Sequence, residues 1–185
     1  FDSDDLSALK TGSMRVQVQK LAQKDVWQSN PISGSKTDTV NAGIITINGT
    51  NIDTSTMSYT KLTEEINKIS GVQASLVDSS DGKNFKLAIK STETGTANKI
   101  NFNTKDISGN DLGVSSGAAK LFGDGSALSD SLNVLKAQNM QLKADGVDYS
   151  SSSNTVTIDG LKITATKESG DSTINIENDT TTLSA

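Results

Sequence analysis

The stretch GVQASLVDSSDGKNFKLAIKSTETGTANKINF, Gly71 to Phe102, decides how the rest of the chain is read. Val72, Ala74 and Leu76 alternate with polar neighbours, and Phe85, Leu87 and Ile89 do the same. Period two with one apolar face is the pattern of a half-buried strand. Between the two runs lies DSSDGKN (Asp78 to Asn84), whose Asp81-Gly82 pair favours a tight turn, so an antiparallel hairpin is expected. The segment beyond the second run is unlike either strand. IKSTETGTANKI (Ile89 to Ile100) is filled with Thr, Ser, Asn and Gly and offers no catalytic constellation.

Upstream, Ile45 and Ile47 precede Asn48-Gly49 and then Ile52, the mark of a hairpin with a type I′ turn, whose two central residues take positive φ. SYTKLTEEINKISGV places Leu62, Ile66 and Ile69 on one helical face, with Ser58 or Thr60 as N-cap and Gly71 as the stop. MRVQVQKL alternates Val16 and Val18 with polar residues and reads as a strand. Asp4 to Lys10 (DDLSALK) reads as the end of a helix stopped by Gly12, and Asn30-Pro31 with Gly34 as a turn or linker. Downstream, Asn103 to Ser131 is punctuated by Gly, Ser, Asp and Asn, with Leu121-Phe122 as an apolar anchor. Leu128, Leu132 and Leu135 are spaced for a short helix. After Ala137 the hairpins return: Asp145-Gly146 and Asp159-Gly160 are type I′ signals, and Leu161, Ile163, Ala165, Ile174 and Ile176 keep period two. The expected class is mainly β with one or two short helices (α+β). Two small antiparallel hairpin-rich units, at about 40–105 and 137–180, flank a Gly/Ser-rich stretch.

Composition fits thin cores under wide polar surfaces. Hydrophobic residues are 33% of the 185, and adding the 15 glycines still leaves the share low against the roughly 45–50% of an ordinary globular domain. The 17 Lys and Arg against 22 Asp and Glu give a net charge of −5, with no basic stripe as a footprint for nucleic acid. No apolar run approaches the roughly 20 residues of a membrane-spanning helix. Phe1-Asp2-Ser3-Asp4-Asp5 is acidic and polar, unlike a signal peptide, and a start on Phe1 reads as a trimmed fragment. Cysteine and histidine are both absent. Disulfides, thiolate metal sites, Cys nucleophiles and imidazole acid–base chemistry are excluded together.

The remaining motifs each have a plainer reading than a chemical one. DSSDGKN breaks the alternation of oxygen ligands that a calcium loop needs and reads as a turn. GDGSALSD (Gly123 to Asp130) lacks the strand before and the Lys after that a phosphate loop requires. Ser33-Gly34-Ser35-Lys36 fits Ser-x-x-Lys only formally. Glu64 and Glu65 point about 100° apart on a helix and read as a solvated face. Trp27, the single Trp, reads as a packing anchor. Asn48-Gly49-Thr50 and Asn178-Asp179-Thr180 match the N-glycosylation sequon. No catalytic residue, cofactor-binding residue or metal ligand is predicted. The function is expected in surfaces.

Three blocks, in order, carry a family resemblance. The first is GSMRVQVQKLAQKDVWQSN (Gly12 to Asn30), a strand followed by a Val-x-x-Leu-Ala-x segment at Val18 to Gln23. The second is Gly71 to Phe102, a hairpin ending in Ser-x-x-Thr-Gly-x-x-Asn at Ser91 to Asn98. The third runs from Lys136 to Thr180, an Ala-Gln hairpin, Ser-Asn-Thr-Val and a closing strand pair before Asn-Asp-Thr. The chain resembles the flagellar filament cap family (FliD, or hook-associated protein 2) over most of its length, least at Asn103 to Leu135. That resemblance implies a head-domain fragment: 1–26 the end of a leg-domain helix and strand, 27–40 a linker or strand into the head, 41–136 a head subdomain, 137–180 a second head subdomain, and 181–185 the return to the leg. It also implies a structural protein without enzymatic activity or cofactor, exported to the tip of the flagellum outside the cell. Its partners would be further copies in a ring, flagellin and hook–filament junction proteins, with no nucleic acid and no membrane. The Thr-rich ribbon would be the outside of a cap plate or a link between its subdomains. The second block is also similar to flagellins, so the variable outer region of a filament subunit stays open. A surface adhesin stays open too, though it would need a platform drawn from 1 Trp, 2 Tyr and 4 Phe.

Overall fold

The computed structural model describes residues 13–168, 171–175 and 181–183. The predicted helix end at Asp4 to Lys10, Ile176 and the sequon at Asn178-Asp179-Thr180 lie outside the described residues. The chain divides into two compact units. Unit 1 holds the described residues up to 23, residues 93–97, and those from 137 onward; unit 2 holds 24–92 and 98–136.

Unit 2 is organised round β7 (Asn84–Ser91). The hairpin expected at its centre forms: β6 (Val72–Asp78) lies antiparallel to β7, with Ala74 opposite Ile89 and Leu76 opposite Leu87. The other edge of β7 takes β2 (Val26–Gln28) and then β3 (Ile32–Ser33). A strand paired on both sides can bury its apolar face, and Phe85, Leu87 and Ile89 are buried. The step from β2 to β3 is the predicted Asn30-Pro31 turn. There Ser29 carries the ladder, its N–H donating to the Leu87 carbonyl at 2.8 Å and its hydroxyl accepting from the Leu87 N–H at 2.9 Å. Pro31, which has no N–H, sits where the ladder is interrupted.

β4 (Ile44–Ile47) and β5 (Thr50–Asp53) are joined by Asn48-Gly49 at φ 49° and 85°, the type I′ geometry. α1 (Tyr59–Ile66) starts at Ser58, whose hydroxyl accepts from the Lys61 N–H at 3.1 Å, and buries Leu62 and Ile66. It ends at Asn67, before the predicted Gly71. The Asn67 side chain instead pairs with both the N–H (2.7 Å) and the carbonyl (3.0 Å) of Ala74, blocking the free edge of β6. Ile69 therefore lies past the helix, packed against the same core.

The stretch least legible in the sequence becomes β8 (Asn103–Lys105), β9 (Asp111–Val114) and α2 (Ser116–Leu121). Gly117 lets α2 close on β4, because a Cβ there would stand 2.8 Å from the Ile44 carbonyl oxygen. The Leu121-Phe122 anchor is buried, with Phe122 stacked on Phe102 at 5.2 Å. Trp27 meets these two rings edge-on at 5.4 and 6.2 Å, a favoured aromatic arrangement. The helix expected on Leu128, Leu132 and Leu135 does not form. Asp130–Leu132 makes one 3-10 turn, and the Leu135 backbone is held extended against Val26 by two hydrogen bonds of 2.8 and 3.4 Å. Tertiary backbone pairing overrides the helical spacing there.

Among the described residues, unit 1 contains two sheets. The first has the order β11-β10-β1-β14, from β1 (Ser13–Lys20), β10 (Met140–Ala144), β11 (Val147–Ser151) and β14 (Asp171–Asn175), all antiparallel. The second has the order β12-β13-β15, from β12 (Thr155–Ile158), β13 (Leu161–Ala165) and β15 (Thr181–Leu183). Both Asp-Gly pairs turn as expected, with Asp145 at φ 49° and Asp159 at φ 50°. β15, however, runs parallel to β13. The chain reaches it only after crossing to the first sheet as β14, so no tight hairpin sets its direction. The core is aliphatic: Met14, Val16, Val18, Met140, Leu142, Ile158, Leu161 and Ile163.

Candidate functional site

The Thr-rich ribbon after β7 has a definite place. Thr92 and Asn98 belong to unit 2, but Glu93–Ala97 between them belong to unit 1. There the Gly95 N–H donates to the Gln23 carbonyl at 3.0 Å, the Thr94 hydroxyl to the Ser152 carbonyl at 2.6 Å, and the Thr96 N–H to the Asn139 Oδ1 at 3.0 Å. Gly95 has φ +100°, and a Cβ on it would lie 2.8 Å from both the Cβ and the carbonyl oxygen of Ser152. Only glycine fits a left-handed backbone at such an approach. Small polar residues are what a segment needs when its contacts are short hydrogen bonds to another piece of chain.

Asp25 has no role legible in the sequence, yet it is wholly buried. Its Oδ2 accepts from the Ile100 N–H at 2.8 Å and its Oδ1 from the Asn133 Nδ2 at 2.9 Å. Its own N–H donates to the Ser91 hydroxyl at 2.9 Å, and its carbonyl accepts from the Ser91 N–H at 2.8 Å. Asn133 Nδ2 also donates to the carbonyls of Val26 and Leu135, both at 3.0 Å. One residue thus gathers the segments on which the chain enters unit 2 near 24, leaves after 92, returns at 98 and leaves after 136. A lone Asp before Val-Trp carries no periodic signal, which is why the sequence does not reveal it.

The motifs with a formal chemical reading are occupied by local structure. In DSSDGKN the Asp81 carboxylate accepts from the Ser79 hydroxyl and the Lys83 N–H, and these bonds hold it below the usual carboxylate range. In GDGSALSD the Asp124 carboxylate accepts from the Ala127 and Ser126 N–H groups, with the same effect. Lys36, the last residue of the formal Ser-x-x-Lys, pairs with Asp78 at 2.8 Å. Glu65 pairs with Lys68 at 2.8 Å and Lys61 at 3.1 Å, which lowers its pKa, while Glu64 lies 3.8 Å from Lys61. Asn48 uses its side-chain oxygen on the Asn101 N–H at 2.9 Å. Trp27 is a packing anchor, 6% exposed, and its indole N–H has no acceptor among the described residues, a cost of about 1–3 kcal/mol that the aromatic packing offsets. None of these arrangements brings titratable groups together on one substrate-sized space.

Among the surface features of unit 2 are a cleft and a ribbon. The cleft, about 520 Å³, is lined by Trp27, Ile100, Phe102 and Leu128, with Lys99 and Asp130 among its polar residues. The ribbon is β8–β9, which pairs with no third strand among the described residues. It exposes Ile107 completely and Leu112 to 63%.

No protein-family model matches the chain. In sequence it is 30% identical over 212 aligned residues to the flagellar hook-associated protein 2 of Campylobacter jejuni, covering 94% of this chain and 32% of that protein. The chain therefore spans about a third of the length of the curated relative it matches. In fold it is similar to the D2–D3 domains of the flagellar cap protein FliD from Escherichia coli, with a TM-score of 0.61 at 21% identity, covering 91% of this chain and 82% of that one. FliD (HAP2) from Pseudomonas aeruginosa PAO1 gives a TM-score of 0.60 at 21% identity, covering 91% of this chain and 80% of that one. The resemblance carried by the three sequence blocks holds: to hook-associated protein 2 in sequence, and to the D2–D3 fold of flagellar cap proteins in structure.

Proposed function

We propose that this chain, with its D2–D3 fold, is the head region of a flagellar filament cap protein. The protein acts at the distal end of the filament, outside the cell, by assembling into a ring or plate that promotes flagellin insertion. It performs no bond chemistry and uses no cofactor. The observation that carries this reading is the sequence likeness to hook-associated protein 2 across 94% of the chain. The relatives named above are a hook-associated protein 2 and flagellar cap proteins, not filament subunits or adhesins.

In this reading residues 41–136 and 137–180 are the two head subdomains, 27–40 leads into the head, and 1–26 and 181–185 border the leg. The pairing of β1 with both β10 and β14 supports a leg-proximal place for the second subdomain. Further copies of the protein, flagellin and hook–filament junction proteins are its partners. Deleting the protein from cells that make it is expected to leave filaments short or missing, with flagellin lost to the medium, and re-expression is expected to restore them. Filaments of normal length in its absence would overturn the proposal.

A further inference from the structure

Asn48, Asp145 and Asp159 each open a two-residue hairpin turn in the left-handed conformation, with φ of 49°, 49° and 50°. In two of these turns the residue grips a further piece of chain at two points. Asn48 donates its N–H to the Asn101 carbonyl at 2.8 Å and accepts the Asn101 N–H on Oδ1 at 2.9 Å. Asp145 donates to the Arg15 carbonyl at 2.8 Å and accepts the Arg15 N–H on Oδ1 at 2.9 Å. Asp159 has the same backbone conformation and is exposed, and no described residue fills its grip.

The strand that leads to Asp159 is open as well. Among the described residues β12 is an edge strand, paired with β13. Ile158 and Leu161 close the hairpin as a hydrogen-bonded pair, so the N–H and C=O of Thr157 turn to the free edge. Thr157 is exposed. β10 shows what such an edge receives. On it β1 lies antiparallel, with Arg15 in the Asp145 grip, Val16 opposite Ala144, Gln17 opposite Lys143 and Val18 opposite Leu142. The same register on β12 sets one residue in the Asp159 grip, an apolar one opposite buried Ile158, a polar one opposite Thr157 and an apolar one opposite Val156, which packs on the unit 1 core. Neutral Asn48 holds Asn101, whereas anionic Asp145 holds Arg15, so the Asp159 carboxylate favours Lys or Arg.

In this chain the order cation, apolar, polar, apolar occurs at Arg15–Val18, Lys99–Phe102 and Lys162–Ala165. The apolar residues of all three are buried, so a folded second copy has none of them to give. We propose that the β12 edge takes an added strand from another protein, an extended segment of that order laid antiparallel to β12 with its Lys or Arg on Asp159. The site lies within unit 1 and goes beyond the cap reading. Main-chain hydrogen bonds supply the affinity of such an addition, and the alternate side chains supply its specificity.

The probe is a synthetic peptide with blocked ends and the sequence SMRVQVQK, that of Ser13–Lys20, added to the whole chain. Saturable slowing of amide exchange at Thr157 and Asp159, with shifts of both amide resonances, is expected. The same peptide with Gln17→Pro lacks the N–H that would meet Thr157 and should have no effect. Asp159→Ala in the protein should abolish the response, and Asp159→Asn should keep it, as Asn48 keeps Asn101. Both peptides act on the unaltered protein, so the test stands whatever Asp159→Ala does to folding. Unchanged Thr157 and Asp159 amides, or an equal response to the Pro peptide, would overturn the proposal. Slow exchange at both amides without peptide would overturn it too, in favour of a covering segment of the same molecule if it holds at every protein concentration, and of a second copy if it appears only at high concentration.

Discussion

Unit 2 is folded from almost continuous chain, whereas unit 1 is gathered from three separate pieces, and the two are held by different means. Unit 2 has a stacked aromatic cluster and a buried carboxylate that fastens its entrances and exits. Unit 1 has an aliphatic core and is joined to residues 93–97 by backbone and hydroxyl bonds to Gln23, Ser152 and Asn139. A unit built from distant pieces needs short, specific polar contacts to hold a small piece in place. A nearly continuous unit can rely on packing. The difference explains why one polar, Thr-rich segment and one buried Asp matter more than their side chains suggest.

Removing an aromatic should strike unit 2 alone. Phe122→Ala deletes a fully buried ring and should cost about 3–5 kcal/mol in unit 2, read as a lower urea midpoint of Trp27 fluorescence. Because Trp27 is the only Trp, that signal reports unit 2, and amide protection in β10 and β13 should be retained. Asp25→Ala comes next. It strands the buried Ile100 N–H, worth about 1–3 kcal/mol without an acceptor, and removes one of the three acceptors of the Asn133 amide, so a loss of about 2–3 kcal/mol by the same titration is expected.

Gly95→Ala should fall on the other unit. A Cβ at 2.8 Å from Ser152 and a φ of +100° put the expected cost at about 1–3 kcal/mol. Faster amide exchange at Thr96 with an unchanged Trp27 midpoint is the outcome that sharpens the contrast. A large drop in the Trp27 midpoint would contradict it. The smallest effect is one of pH on the ribbon. Hydrogen bonds from Asn110, then from Ser108 and Gly109, hold the Asp106 carboxyl below its ordinary 3.8. A depressed carboxyl stabilises fully above its unfolded pKa and loses that contribution as pH falls through the folded one. Exchange at the Ser108 and Asn110 amides should therefore show no carboxyl-linked change above pH ~5 and quicken only in acid below pH ~4.

Three hairpins were legible because two independent signals coincide in each. Asn48-Gly49, Asp145-Gly146 and Asp159-Gly160 mark positive φ, and the flanking residues keep period two, so local chemistry and burial agree. α1 was legible for the same reason, its cap at Ser58 agreeing with the spacing of Leu62 and Ile66. Asn103 to Leu135 was not, because its conformation is set by bonds to distant chain: Ser115 to Thr46, Asn133 to Asp25, Leu135 to Val26. Nothing local distinguishes those polar residues from ordinary loop residues. The direction of β15 was illegible for a related reason, since it depends on the crossing through β14. The cleft and the ribbon were missed because exposed Ile107 and Leu112 look, in sequence, like any other apolar residues of a short strand.

The most direct measurement is immunogold electron microscopy on intact cells, with antibodies raised against this chain. Label confined to the tips of filaments is expected. Label along whole filaments would contradict it in favour of a filament subunit, and label over the cell body with bare filaments would contradict it in favour of an adhesin.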